Sequence, residues 1–442
     1  MLIMAPDISQ ARTAGLGHWL ARQAPVHGHL DSLLQSFCRE LTGRGLPLWR
    51  VTLGFEILHP ETSGKMITWI DDVVTVRRND RANSLGHDYC KSPVKIVDET
   101  DRPFRLRLDR PSPDLPMLEE LRADGATDYV IFPLPFLDKR RTAFMSFASR
   151  SPGGFGTSDL AEMEMAAALI SPYAERSVLR RIAIDLLETY VGRRSGKRIY
   201  AGHIERGKIE TIGAAIFMAD IRGFTTLTEG ETQESVITVL DDWFECLADA
   251  TEAEGGEILK FMGDGLLAIF PVDGSVDEAC QRAFRAASAA LENLAALNTR
   301  RSAEGKLELV GGFGLHLGDV AYGNVGGRRR LDFTVIGAAV NFASRLERLT
   351  RELDVPVLMS EAFARAAGQT HASLGHHPIR GLERTEQVFA HVLTAPSPLA
   401  QEPVAGANGD LIELFDAAPE ETSRLATTSV PRAPFSGARR LG

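Results

Sequence analysis

Cysteine is scarce in this chain, and what there is lies scattered. Cys38, Cys90, Cys246 and Cys280 are the only four in 442 residues. They form no CxxC pair and have no histidine at metal-ligand spacing, which argues against a disulfide scaffold or a zinc knuckle and for reduced thiols in a cytoplasmic protein. Long apolar runs are also missing: none approaches the roughly 20 residues that cross a bilayer, so no membrane span is expected. The opening MLIMAPDISQARTAG has a short apolar patch and no basic lead, so no signal peptide is expected either. There is no basic surplus. A net charge of −10 leaves nothing to neutralise a phosphate backbone, and nucleic acid is not an expected partner. The run Arg328-Arg329-Arg330 reads as a solvated hairpin tip. Gly318, Gly323, Gly326 and Gly327 lack the strand–turn–helix context of a dinucleotide site and read as hairpin glycines.

At this length two or three domains are expected. Residues 1–27 read as a loose leader, with a short helical piece at Leu16–Gln23. Apolar positions Leu30, Leu33, Leu34, Phe37 and Leu41 then predict a helix. Strand-like runs follow at Arg50–Leu58 and Met66–Ile70, then a polar middle and a helix at Leu115–Asp124. Two more runs, Tyr129–Pro135 and Thr142–Ala148, are joined by the hairpin-like connection Leu137–Arg141. Thr157-Ser158-Asp159 starts a helix that carries Leu160, Met163, Ala167 and Ile170 on one stripe. This order, with its ending FGTSDLAEMEMAAALI, resembles a GAF sensor domain over 28–172; a PAS-type sensor is the alternative. Trp49, Trp69, His59, His87 and Cys90 are candidate pocket residues, each read more simply as a core aromatic or a surface group. The resemblance implies an unknown small-molecule or protein input.

Pro172 is expected to interrupt the helix. A connecting helix resumes at Ala174–Leu187 with Val178, Ile182, Leu186 and Tyr190 in register, either as a parallel dimer seam or packed on its own domain. Gly192–Gly207 is basic and glycine-rich, so 173–208 reads as a connecting helix and transducing linker. At the other end, 394–442 is rich in Pro, Ala, Ser, Gly and Glu and reads as a disordered tail with at most a short helix at Asp410–Asp416.

The chemistry concentrates between Ala214 and Phe270. Ala214–Met218 and Leu266–Phe270 are too short for helices and rich enough in Ile and Phe to be buried strands. Each abuts a carboxylate: Asp220 before the turn Arg222-Gly223-Phe224, and Asp264 in the tip Gly263-Asp264-Gly265. Taken alone, each aspartate is a turn or cap residue. Together, two aspartates at a sheet edge beside glycine turns have the parts of a divalent-metal and phosphate site. Farther on, Asn341 and Arg345 are four apart on a predicted helix and share a face.

Three motifs give these residues a family context: Asp220-Ile221-Arg222-Gly223-Phe224-Thr225, then Lys260-Phe261-Met262-Gly263-Asp264, then Gly337 through Asn341 to Arg345. In this order and spacing they resemble the catalytic domain of the class III nucleotidyl cyclases, over 209–393. The resemblance implies an α+β fold, a ferredoxin-like sandwich behind the GAF-like α/β domain, and conversion of ATP to cyclic AMP and pyrophosphate. It implies two ions, Mg²⁺ or Mn²⁺, on Asp220 and Asp264 with the carbonyl of Ile221. Gly223, Phe224 and Thr225 would cradle phosphates, Arg345 would meet the charge developing at phosphorus, and Asn341 would orient the ribose. Lys260 and Thr334 would read adenine, because family members that use GTP usually carry glutamate in place of Lys260. The resemblance makes Thr334, and not Asp332, the expected second base-reading group. Threonine there resembles the subgroup that includes bicarbonate-stimulated adenylyl cyclases. Family sites are shared between two chains, so a homodimer is implied. A late basic phosphate contact is expected from Arg380 or Arg384. A guanylate cyclase and a catalytically silent nucleotide-binding regulator are the alternatives.

Overall fold

The structure is a computed structural model that describes residues 8–391 apart from 82–86, 110, 112–113, 138–142, 369–370 and 382–383. The first residues of the expected leader, most of the connection after Leu137 and the expected tail from 394 with its short helix lie outside the described residues.

The N-terminal half begins with α1 (Ile8–Gln23) and α2 (Leu30–Gly43). Then come β1 (Arg50–Glu56), β2 (Thr62–Ile70), β3 (Val73–Asp80), α3 (His87–Cys90), α4 (Pro93–Thr100), β4 (Phe104–Arg107), α5 (Pro116–Ala123), β5 (Asp128–Pro133) and β6 (Ala143–Ser149). The sheet order is β3-β2-β1-β6-β5-β4, with every pair antiparallel. Strands β1, β5 and β6 are buried on both faces. One face packs under α1, α2 and the next helix through Leu20, Leu34, Phe37, Val51, Phe147 and Ile170. The other packs under α4 and α5 through Trp49, Val97, Leu118, Tyr129 and Phe144.

Two expectations change here. Residues 8–23 are a full helix whose Leu16 and Leu20 sit in the core, so this part of the supposed leader is built into the domain. The polar middle contains β3, an edge strand that sequence pattern missed because its side chains are mostly exposed and carry no buried alternation. Asp71 and Asp72, both at positive φ, make the tight turn that returns it along β2.

Helix α6 runs unbroken from Thr157 to Val191, with Pro172 inside it. The expected interruption is therefore absent: a proline removes one backbone donor, and packing on both sides keeps the helix continuous. Val178 and Ile182 belong to the N-terminal core, whereas Leu186 and Tyr190 are exposed, so the first half of the supposed seam packs on its own domain. The basic stretch after it is not an open linker throughout, since Arg193–Tyr200 is helix α7.

The C-terminal half comprises β7 (Ile209–Ile221), α8 (Phe224–Thr228), α9 (Gln233–Ala253), β8 (Glu257–Met262), β9 (Gly265–Pro271), α10 (Val276–Ala303), β10 (Gly311–Gly326), β11 (Leu331–Ile336), α11 (Ala338–Glu352), β12 (Val357–Ser360), α12 (Glu361–Ala367), β13 (Ala372–Pro378) and β14 (Thr385–Ala390). Strand order β13-β14-β12-β10-β7-β9-β8 contains the sequence β10-β7-β9-β8, the arrangement of two interleaved strand–helix–strand units of a ferredoxin-like fold. Strand β7 is central. Its Ala215, Phe217 and Ala219 face α9 and α10, while Ala214, Ile216 and Met218 face the side covered by α11.

Candidate active site

The site is built at one edge of that sheet by three pieces of backbone. β7 delivers Asp220 and Ile221, and the β8–β9 tip delivers Asp264. Gly263 at φ 67° makes the tip turn, and the indole N–H of buried Trp243 donates to the Asp264 carbonyl at 2.9 Å, pinning it from below. Burial first, and then the neighbouring carboxyls of Asp264 and Glu347, push the Asp220 carboxyl well above the usual carboxylate range, while Arg351 opposes the shift. An Asp220 carboxyl crowded by Asp264 and Glu347 creates a demand for a cation.

The third piece is α11, which lies on β10 at close range because β10 has glycine beneath it. A Cβ on Gly314 would stand 2.4 Å from the Ala343 carbonyl oxygen and 2.5 Å from the Glu347 nitrogen. Gly312, opposite Asp220 in the ladder, leaves room for Thr350 and Glu347 in the same way. Glu347 is only 4% exposed, and one of its carboxyl oxygens has no hydrogen-bond partner among the described residues. Burial raises its pKa. One turn later, Arg351 donates to Asp220 Oδ2 at 2.9 Å and to the Ile221 carbonyl at 3.3 Å. Neither Glu347 nor Arg351 was singled out from sequence, where both read as polar positions of an amphipathic helix.

Asn341 and Arg345 share a face of α11, as expected, but it is not the face that meets Asp220. At 100° per residue they lie about 120° around the helix from Glu347 and Arg351, and Asn341 is about 15 Å along the axis from Arg351. Asn341 is exposed and Arg345 partly so, and neither side chain has a hydrogen-bond or ion-pair partner among the described residues. The guanidinium of Arg345 lies near Gly381. One chain therefore does not bring Asn341 and Arg345 onto its own aspartate pair.

Lys260 stands on β8 just after a register shift and pairs with Asp332 of β11 at 2.8 Å, which holds the Asp332 carboxyl below its usual range. Thr334 is buried on the same strand, opposite Gly323. Gly223, in the left-handed region, caps α8, so the amides of Phe224 and Thr225 fall in its first turn, outside the helical ladder. Arg380 and Arg384 are both exposed, and the geometry does not choose between them.

A second cluster ties α7 to this sheet. Glu257, first residue of β8, is 6% exposed and accepts hydrogen bonds from the Ser195 N–H (2.7 Å), the Ser195 hydroxyl (2.6 Å) and the Tyr322 hydroxyl (2.9 Å). Arg194 adds a two-pronged pair with Asp273. Gly192, at φ 93°, passes so close that a Cβ would lie 3.0 Å from the Ile258 carbonyl. No sequence signal marks this cluster, whose members come from three distant segments.

The donor set suits a hard divalent cation. Mg²⁺ is usually held by one or two carboxylates with substrate phosphates completing the shell, rather than by a full protein cage. Among the described residues no group of three or more His, Cys, Asp or Glu side chains is placed to hold a metal.

Residues 207–391 match the family described as adenylate and guanylate cyclase catalytic domain. Adenylate cyclase 1 of Rhizobium meliloti (strain 1021) is 33% identical over 166 residues, 38% of this chain and 25% of that protein. An adenylate cyclase of Anabaena cylindrica is 36% identical over 167 residues, 37% of this chain and 32% of that protein. The crystal structure of the adenylyl cyclase CyaB from P. aeruginosa is 25% identical with a TM-score of 0.40, covering 44% of this chain and 100% of that one. The chain thus spans a quarter to a third of the length of these two curated relatives. No helix among the described residues is long and apolar enough to cross a membrane.

Proposed function

We propose that this protein is an adenylate cyclase that works as a homodimer, each site taking Asp220 and Asp264 from one chain and Lys260, Thr334, Asn341 and Arg345 from the other. The observation that carries the reading is the division of α11: one face is packed against the aspartates, and the other presents Asn341 and Arg345 outward without partners. Phe261, Met262 and Ile336, large apolar side chains left exposed on the β8–β9 tip and β11, favour a covering second copy.

In this reading the ribose 3′-oxygen of ATP bonds to the α-phosphorus as the bond from that phosphorus to the β-phosphate oxygen breaks. Pyrophosphate leaves, and the hydroxyl proton passes to solvent. Asp220, Asp264 and the Ile221 carbonyl would hold two ions, Mg²⁺ or Mn²⁺, which supply the charge that acidifies the hydroxyl and neutralises the triphosphate. Arg345 sets a positive charge against the phosphoryl oxygens, where it counts most in the transition state. Asn341 holds the ribose. The first-turn amides at Gly223, Phe224 and Thr225 receive phosphate oxygens. Lys260 accounts for adenine over guanine, in accord with relatives named adenylate cyclases, and must leave Asp332 to do so.

The N-terminal antiparallel sheet with its flanking helices is proposed as a GAF-like sensor that takes an unidentified small-molecule or protein signal. Its route is α6 into α7 and through Glu257 into β8, the strand that carries Lys260 and leads to Asp264. Mixing Asp220→Ala with Arg345→Ala tests the shared site. Each should be inactive alone, and mixed dimers should regain up to about half of one dimer's activity, having one intact site. No recovery, with mixed dimers demonstrably formed, would refute it.

A further inference from the structure

We infer that Arg351 is a tethered stand-in cation: its guanidinium occupies Asp220 and the Ile221 carbonyl when metal is absent and must be displaced for metal to bind. The argument begins with the donor set. Two of the three oxygen groups assigned to the metal, Asp220 Oδ2 and the Ile221 carbonyl, are the two that one Arg351 nitrogen touches, at 2.9 and 3.3 Å. A guanidinium nitrogen and a dication cannot both take the same oxygens at bonding distance.

The surroundings explain why a stand-in is needed. Asp220, Asp264 and Glu347 place three carboxyl groups in one corner, with Glu347 buried and one of its oxygens unpartnered among the described residues. Unbalanced negative charge taken out of water is costly, so the metal-free chain gains by supplying a cation of its own. Arg351 is fitted to a temporary role. It sits in the last turn of α11, its side chain is 47% exposed, and swinging its head into solvent needs no backbone movement. Half-buried Arg222 nearby makes the contrast: it bonds to the Thr350 and Val355 carbonyls and to Asp354, and so serves as a fixed clamp.

The inference rests on the metal reading of Asp220, and the test separates the two. Mn²⁺ binding to the full chain without nucleotide would be measured by electron paramagnetic resonance or calorimetry for wild type, Arg351→Gln, Arg351→Lys and Asp220→Ala. Thermal melting in chelator would be recorded alongside. Removing a half-exposed competing cation should tighten Mn²⁺ binding roughly fivefold in Arg351→Gln, which is about 1 kcal/mol. Arg351→Lys should fall between Arg351→Gln and wild type. In chelator Arg351→Gln should melt a few degrees below wild type, and saturating Mn²⁺ should close the gap. Wild-type binding that depends on Asp220, with unchanged or weaker binding in Arg351→Gln, would overturn the stand-in role alone. Absence of binding, or equal binding in Asp220→Ala, would overturn the metal reading and this inference with it.

Discussion

Glu257 is the place to test whether α7 is fixed to the catalytic sheet by chemistry rather than by proximity. The carboxylate accepts three hydrogen bonds at 2.6 to 2.9 Å, two from Ser195 and one from Tyr322. Burial, aided by the Glu257 charge, raises the Tyr322 hydroxyl above its ordinary range, so it remains a donor at any physiological pH. Hydrogen bonds to a charged group contribute about 1.5–3 kcal/mol each, and removing a buried charged partner costs about 3–5 kcal/mol because the donors are stranded. Glu257→Ala should therefore weaken docking of α7 by roughly 3 kcal/mol, a factor of more than a hundred in its opening equilibrium. The Arg194–Asp273 pair is too exposed to make up the loss. Hydrogen exchange over residues 192–201 is the assay. Faster exchange there, with β7 and β10 still protected, is the expected result. Unchanged protection of α7 in a folded Glu257→Ala protein would refute the reasoning, and with it the route from α6 to β8.

Three further outcomes follow from the geometry. Gly314→Ala drives a methyl group into the α11 backbone and should destabilise the protein by about 3 kcal/mol in urea unfolding; a change below roughly 0.5 kcal/mol would show that α11 does not lie that close. Lys260→Ala should lower kcat/KM for ATP at least tenfold, about 1.4 kcal/mol, without improving GTP; equal losses for both nucleotides would remove its base-reading role. His316, bonded to Ser360 and lowered by burial to about 4, is neutral when folded and protonates below about 6.5 when unfolded. Its contribution is therefore present above about pH 6.5 and is lost as pH falls toward 4, by up to about 3 kcal/mol, so His316→Asn should flatten that part of the stability–pH curve. Parallel curves for the two proteins would contradict it.

What was legible in the sequence was local. Asp220 and Asp264 were readable because each lies where a short apolar run meets a glycine turn, and a chain buried on both faces of a strand leaves that mark. Asn341 and Arg345 were picked out by the resemblance of their motif, and helical spacing added only that they share a face. What escaped depends on contacts across long separations. Arg351 meets Asp220 across 131 residues, and Tyr322 meets Glu257 across 65, and neither contact leaves a periodic trace. Lys260 asked for a partner, but only the fold shows Asp332 answering it. The errors were of the opposite kind, places where a strong local signal yielded to packing. Pro172 did not stop α6, the glycines around Arg193–Tyr200 did not keep α7 from forming, and a leader of mixed composition acquired a core through Leu16 and Leu20.

The central claim is tested most directly by product formation from the purified chain with ATP and with GTP, in Mg²⁺ and in Mn²⁺, beside Asp220→Ala. The account predicts cyclic AMP from ATP, little or no cyclic GMP from GTP, and loss of product by a factor of a hundred or more in Asp220→Ala, about 2.7 kcal/mol. Cyclic GMP as the main product, or product that persists in Asp220→Ala, would contradict it.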